Sequence, residues 1–178
     1  MKEYRLKYLL VTFIMTPQIQ EWIKNTKRLF IKKPGRVLEI GSKDITGSVR
    51  EFFKDSLEYI GTDMERGFGV DVIIDAHNLL KKFKKNSFDG LICCEMLEHD
   101  NDPFKTIGIM SQLVKKGGFL VVTTPTFGFP LHRHPKDYFR YGEDAFREII
   151  FKGFEILKLT QVKDIEGNPA ICCIGKKI

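Results

Sequence analysis

The residues with the most chemistry to offer end one apolar run, Phe88-Asp89-Gly90-Leu91-Ile92-Cys93-Cys94-Glu95-Met96-Leu97-Glu98-His99. An imidazole titrates near neutrality, so His99 is the first candidate for a general base, with the Glu98 carboxylate beside it. A histidine satisfied at a helix start is the structural alternative. Asp63 lies about twenty residues beyond the turn Glu39-Ile40-Gly41-Ser42-Lys43-Asp44-Ile45-Thr46-Gly47-Ser48, a spacing at which a carboxylate can accept hydrogen bonds from ribose hydroxyls. The plainer role for Asp63 is to cap the segment that follows it. Asp75-Ala76-His77 offers an acidic side chain and backbone N–H groups to a purine edge, or else forms a simple turn, with Asn78 as the cap of the next helix.

A long loop follows later in the chain, Pro125-Thr126-Phe127-Gly128-Phe129-Pro130-Leu131-His132-Arg133-His134-Pro135-Lys136-Asp137-Tyr138-Phe139-Arg140-Tyr141-Gly142. Loops of that length in compact domains are usually functional, which makes His132 and His134 candidate substrate contacts; the plainer role of the aromatics is to anchor the loop in the core. His132, His134, Asp137, Glu98 and His99 could gather around a divalent ion. Alternate histidines beside prolines do not match the spacing of a common structural site, so no metal is expected.

These residues need strands to deliver them. Apolar runs suited to strands occur at Arg36–Ile40, Glu58–Asp63, Val70–Asp75, Phe88–Cys94, Gly118–Thr124, Phe154–Thr160 and Ala170–Lys176. Helical spacing appears from Pro17, where Ile19, Trp22, Ile23, Thr26, Leu29 and Phe30 recur at three- and four-residue steps. Further helices are expected over Gly47–Lys54, Asn78–Phe83, Pro103–Val114 and Glu143–Phe151. Strand, helix, strand in this order implies right-handed crossovers and a doubly wound, mainly parallel α/β sheet covered on both faces. The link from Gln161 to Pro169 is too short for a crossover helix and predicts an antiparallel final pair. In such a sheet, ligands bind beyond the carboxyl ends of the strands, where the candidate residues fall.

Four segments together resemble the class I S-adenosylmethionine-dependent methyltransferases: Arg36-Val37-Leu38-Glu39-Ile40-Gly41, Tyr59-Ile60-Gly61-Thr62-Asp63, the run from Phe88 to His99, and Leu113-Val114-Lys115-Lys116-Gly117-Gly118-Phe119-Leu120. The likeness spans Pro34 to Thr124. It implies a seven-stranded, Rossmann-like sheet whose last strand is antiparallel, and S-adenosylmethionine as cofactor, with S-adenosylhomocysteine as product. By the same resemblance, Glu39, Gly41, Ser42 and Gly47 line the methionine end, and Asp63 holds the ribose beside Met64. Asp75 and Ala76 face the adenine, while Glu95 and Met96 lie under the sulfonium. Some members carry a similar Pro-x-Asp-Tyr-aromatic-Arg stretch, which makes Asp137, Tyr138 and Arg140 candidates for closing the site or binding substrate. The family's G-x-G-x-G turn is here longer and poorer in glycine. The Asp/Asn-Pro-Pro-aromatic motif of amino-nitrogen methylation is absent after the fourth strand, where Cys93-Cys94-Glu95-Met96 stands.

The whole composition agrees with a packed globular chain: 178 residues, 43% hydrophobic, 29% charged and 15 Phe. Residues 1–33 read as an N-terminal segment whose amphipathic helix packs on the domain, and 34–178 as the cofactor-binding domain. A net charge of +6 allows a nucleic-acid partner without favouring one. Lys81, Lys82, Lys84 and Lys85 read as a solvated face around one anchor, Phe83. Cys93-Cys94 and Cys172-Cys173 are adjacent pairs in strands, which point to opposite faces and cannot clamp one metal; they read as buried thiols of a reducing compartment. Lys2, Arg5 and Lys7 precede the apolar stretch 9–15, but no small-residue cleavage site follows and the stretch is too short to span a bilayer, so a cytoplasmic chain is expected. The leading expectation is methyl transfer to a small-molecule acceptor, with a sugar or lipid-linked precursor as one candidate. RNA or protein methylation and a non-catalytic S-adenosylmethionine-binding partner subunit are the alternatives. A nicotinamide dehydrogenase would rest on Asp63 alone, because G-x-G-x-x-G is missing. Oligomeric state has no signature in the sequence.

Overall fold

The computed structural model describes residues 15–29, 35–45, 47–133 and 136–178. The expectations for residues 1–14 and for His134 lie outside them. Seven strands form one sheet: β1 (Arg36–Ile40), β2 (Glu58–Asp63), β3 (Val72–Ile73), β4 (Phe88–Cys94), β5 (Val114–Pro125), β6 (Phe154–Lys163) and β7 (Pro169–Lys177), in the order β3-β2-β1-β4-β5-β7-β6. The first five strands pair in parallel, and β7 runs antiparallel to both β5 and β6. The doubly wound sheet and the antiparallel final pair are both as expected.

Alternation along the strands splits the core in two. Leu38, Ile40, Leu91, Cys93, Leu120, Val122 and Cys173 face one side, whereas Val37, Ile92, Cys94, Val121, Cys172 and Ile174 face the other. On the second side lies α1 (Pro17–Thr26), capped by the Thr16 hydroxyl, which accepts the Ile19 N–H at 3.4 Å, and started by Pro17 at its first turn. Its apolar stripe of Ile19, Trp22 and Ile23 is buried against Val49, Phe53 and Phe119. Opposite, α2 (Leu79–Lys82) and α3 (Pro103–Leu113) cover the first cluster.

Three expected elements are shorter or different in kind. The helix over Gly47–Lys54 reduces to one 3₁₀ turn, Arg50–Phe53. Gly47 sits at φ 144°, and the Asp44 and Ser48 side chains accept the Gly47 and Arg50 N–H groups, so local side-chain bonds replace helical ones. Strand β3 keeps only two residues, because Asp71 is drawn to the Gly61 N–H and to Arg50. The helix over Glu143–Phe151 is one α turn, α4 (Glu143–Ala145), continued as a π-helical turn, Phe146–Ile150. All four cysteines are buried and free; β4 and β7 flank β5 on opposite sides, so the two pairs never meet. Phe83 anchors its lysine run edge-on against Phe88, with ring centroids 5.2 Å apart.

Candidate active site

One cleft of about 650 Å³ opens at the carboxyl ends of β1 to β4. Glu39, Gly41, Ser42, Gly47, Asp63, Met64, Asp75, Ala76, Glu95 and Met96 all line it, together with His77, His99, Asp100, Asn101, Lys136 and Tyr138. Strand order explains the gathering. The arrangement β3-β2-β1-β4 places Asp75, Asp63, Glu39 and His99 on four neighbouring strand ends although they are scattered over sixty residues of chain.

At the centre Gly41 takes φ 76°, and its N–H and that of Ser42 both donate to the Thr62 carbonyl, at 2.9 and 3.0 Å. The turn is therefore closed onto β2 rather than offering these N–H groups to the cleft. A Cβ at position 41 would lie 2.8 Å from Met96 Cγ, so the residue is glycine for packing as well as conformation. Asp63 accepts the Lys43 N–H through Oδ2 at 3.3 Å and the Glu65 N–H through Oδ1 at 2.9 Å. Both oxygens keep a further lone pair, so the capping role and a ligand-facing role coexist. Asp75 Oδ1 accepts the His77 N–H at 2.7 Å. Asp75 thus caps the 3₁₀ turn Ala76–Asn78, and Asn78 stands at the N-cap position of α2 as expected, without a capping bond from its side chain.

Two carboxyls in the cleft are held off their usual acidity. Burial pushes Glu39 up to about 7, against the Tyr59 hydroxyl, which donates to Glu39 Oε2 at 2.8 Å, and the Arg50 charge. Arg50 stacks over the Tyr59 ring at 4.9 Å and pairs with Asp71. Glu95 stands at φ 49° and is buried; desolvation, then the nearby Glu98, raise it well above the carboxylate range. Asp100 was not singled out from the sequence. It receives the Thr106 hydroxyl at 2.5 Å and the Asp102 N–H at 2.8 Å and stands 2.9 Å from His77 Nε2; the strand-end rule applied a few residues further past β4 would have reached it.

At the other end His99 reaches the cleft while Glu98 does not. Glu98 is fully buried behind it, so the expected pair facing an acceptor is instead one imidazole backed by a carboxylate. The His99 Nδ1 bonds the Lys136 carbonyl, and Nε2 has no hydrogen-bond partner among the described residues, unlike a satisfied structural histidine. Of the described residues of the loop 126–142, Lys136 and Tyr138 line the cleft. His132, Asp137 and Arg140, expected as substrate contacts, turn inward. Arg140 forks onto Asp137 and also donates to the Pro130 carbonyl at 2.9 Å and the Phe129 carbonyl at 3.3 Å. That clamp and the His132 N–H hold Asp137 down to about 2 despite its burial. The Tyr138 N–H donates to the Glu98 carbonyl at 2.8 Å, tying the loop to the end of β4.

Comparison with known proteins agrees with this architecture. Residues 16–156 match the family described as methyltransferase domain. A ubiquinone biosynthesis O-methyltransferase of Saccharophagus degradans is 37% identical over 75 residues, 42% of this chain and 29% of that protein, so the match spans under a third of the relative. Among solved structures, Burkholderia thailandensis 1,6-didemethyltoxoflavin-N1-methyltransferase, with 1,6-didemethyltoxoflavin and S-adenosylhomocysteine bound, superposes with a TM-score of 0.73 at 12% identity, covering 99% of this chain and 83% of that one. The [4+2]-cyclase SpnF shares the fold with a TM-score of 0.68 at 16% identity, covering 89% and 81%. With the family matched over most of its length and the strand order, antiparallel last strand and cleft in place, the chain belongs to the methyltransferase domain family of the class I S-adenosylmethionine-dependent methyltransferases.

Proposed function

We propose that this chain transfers a methyl group from S-adenosylmethionine to an oxygen of a small-molecule acceptor. The observation that carries the reading is the row Asp75, Asp63, Glu39 and His99 on four adjacent strand ends of one cleft. Four strands span about 14 Å, which suits a ligand with a nucleoside at one end and an amino acid at the other. The residues fit such a ligand. Ser42 Oγ and Glu95 Oε1 are buried, line the cleft and have no hydrogen-bond partner among the described residues. Asp63 retains acceptor capacity for a ribose, and Glu39 is a carboxyl poised to ionise against an ammonium.

When bound, the cofactor supplies a methyl carbon already activated by its sulfonium, so alignment at near-attack distance is the main demand on the protein. His99 supplies the remaining one. Its Nδ1–H donates to the Lys136 carbonyl, which leaves the Nε2 lone pair to take the acceptor's hydroxyl proton as the oxygen–carbon bond forms and the sulfur–carbon bond breaks. Oxygen as the acceptor atom is supported by the O-methyltransferase names of the curated relatives, and a small acceptor by the half-exposed Tyr138 ring at the rim. The glycine turn closed onto Thr62, and a cyclase on the same fold, favour as second reading a chain that binds the cofactor without methyl transfer.

The test is incubation of the chain with methyl-labelled S-adenosylmethionine and phenols, vicinal diols, sugars, RNA and protein in parallel. A labelled methyl ether on a small molecule is expected, lowered about 10²- to 10⁴-fold by His99→Ala with unchanged S-adenosylhomocysteine affinity. Label on RNA or protein alone, or equal turnover of that variant and the parent from about pH 6 to 9, contradicts the reading.

A further inference from the structure

We propose that Glu98, His99 and His132 form a divalent transition-metal site at the acceptor end of the cleft, with at least one coordination position left for an oxygen of the acceptor. Glu98 Oε1 lies 3.6 Å from His99 Nε2 and 3.6 Å from His132 Nε2, and the three ligand atoms all fall within 4.8 Å of one another. Ligands bound at the usual 2.0–2.1 Å in a tetrahedral site stand about 3.3–3.4 Å apart, so the two Glu98 contacts need to close by only a few tenths of an ångström and the two imidazoles by at most about 1.4 Å, within the reach of a side-chain rotation.

Hydrogen bonding points to a cation. The His99 Nδ1 faces the Lys136 carbonyl. The His132 Nδ1 faces Asp137 Oδ2 at 3.2 Å and the Pro130 carbonyl at 3.5 Å. Both Nδ1 atoms therefore face acceptors, which in the neutral tautomer that donates to them leaves both Nε2 lone pairs turned toward the Glu98 carboxyl. Both Nε2 atoms and both Glu98 oxygens are buried with no hydrogen-bond partner among the described residues. The Glu98 side chain has no exposure and that of His132 only 4%. Acceptors that face one another without a donor repel, and an enclosed group of them is expensive. A dication between them converts the repulsion into three bonds.

The surroundings match those of metal ligands, whose second imidazole nitrogen commonly bonds a carboxylate or carbonyl. Asp137 and Arg140 thereby gain a role at the site, since Arg140 keeps Asp137 anionic and Asp137 orients His132. Two imidazoles and one carboxylate suit Zn²⁺, Co²⁺, Mn²⁺ or Fe²⁺ rather than Mg²⁺. With such an ion in place, His99 is a ligand, and the acceptor hydroxyl ionises because the cation stabilises its oxygen, the proton passing to solvent. The assignment of the open position rests on the proposed reaction; the metal site itself does not.

The test uses chelator-treated chain without cofactor or acceptor, titrated with Co²⁺ and followed by visible absorption, and with Zn²⁺ followed by thermal unfolding. One Co²⁺ per chain and a higher melting temperature with Zn²⁺, but not with equal Mg²⁺, are expected. Glu98→Gln, close in shape, and His132→Ala should each weaken Co²⁺ binding at least tenfold, with far-ultraviolet dichroism confirming that the variants are folded. Failure of the folded parent to bind either ion, or undiminished binding in both variants, overturns the site. Because no methyl is moved in the experiment, these outcomes stand apart from success or failure of the transfer assay.

Discussion

Glu39 carries a proton in the folded chain that it would release when unfolded. Its carboxyl is raised from 4.5 to about 7, chiefly by burial, so its stabilising contribution is complete below pH 4.5 and lost as the pH rises through about 7. That loss amounts to about 3 kcal/mol. Glu39→Gln, which still accepts the Tyr59 hydroxyl, should flatten this part of the parent's stability profile; denaturant unfolding at pH 5 and pH 8 checks it, and equal slopes for both proteins would show that Glu39 is not the titrating group. The same carboxyl couples to the ligand. If an ammonium binds against it, Glu39 must ionise, so S-adenosylmethionine should bind more tightly as pH rises through about 7, with proton release visible as a buffer-dependent heat. Asp63 belongs to the same scale, since its oxygens already hold two backbone N–H groups and still accept more. Much of this was legible: types and spacing singled out Asp63 and His99, and the family likeness supplied Glu39. The inward turn of His132, Asp137 and Arg140 was not, because a string of polar loop residues does not record which of them bond one another.

Among the elements, the loop 126–142 decides what the acceptor meets. Its described residues form no helix or strand and are held by the Asp137–Arg140 fork, by the Thr126 hydroxyl on the Tyr141 carbonyl at 2.7 Å and by the Tyr138 N–H on Glu98. Arg140→Ala takes the guanidinium from the buried Asp137, leaving it only its His132 contacts, and should cost about 3 kcal/mol in chemical denaturation. It should also raise the acceptor KM more than the cofactor Kd; equal effects on both would mean that the fork supports the whole domain rather than this loop. The glycine turn is the second such element. Gly41→Ala meets both the left-handed backbone and Met96, and a cofactor affinity unchanged in calorimetry would remove the turn from the site. Sequence periodicity located α1 and α3 because long apolar stripes recur there, and missed the collapse of Gly47–Lys54 because side-chain caps compete with a helix too short to resist them.

At the scale of the molecule, strand order does the gathering. Alternation of strands and helices foretold a doubly wound sheet, and a short final link foretold its antiparallel end, but neither says that β1 lies between β2 and β4; that order is seen only in the folded chain. The basic charge is spread differently from the chemistry. Lys81, Lys82, Lys84 and Lys85 surround a shallow second hollow whose lining shares no residue with the cleft. Exchanging all four for glutamine should leave methyl transfer to a small molecule unchanged, whereas a loss of activity would favour a polyanionic acceptor. No helix among the described residues is long and apolar enough to cross a membrane.

The central claim is that the cleft at the ends of β1 to β4 binds S-adenosylmethionine, and calorimetric titration of the chain tests it most directly. Binding of S-adenosylmethionine and S-adenosylhomocysteine near about 10 μM, or roughly 7 kcal/mol, with no heat from NAD and a loss of about 1.5–3 kcal/mol in Asp63→Ala, is the predicted result. A folded chain that binds neither sulfur nucleoside, or binds them undiminished after Asp63→Ala, would contradict it.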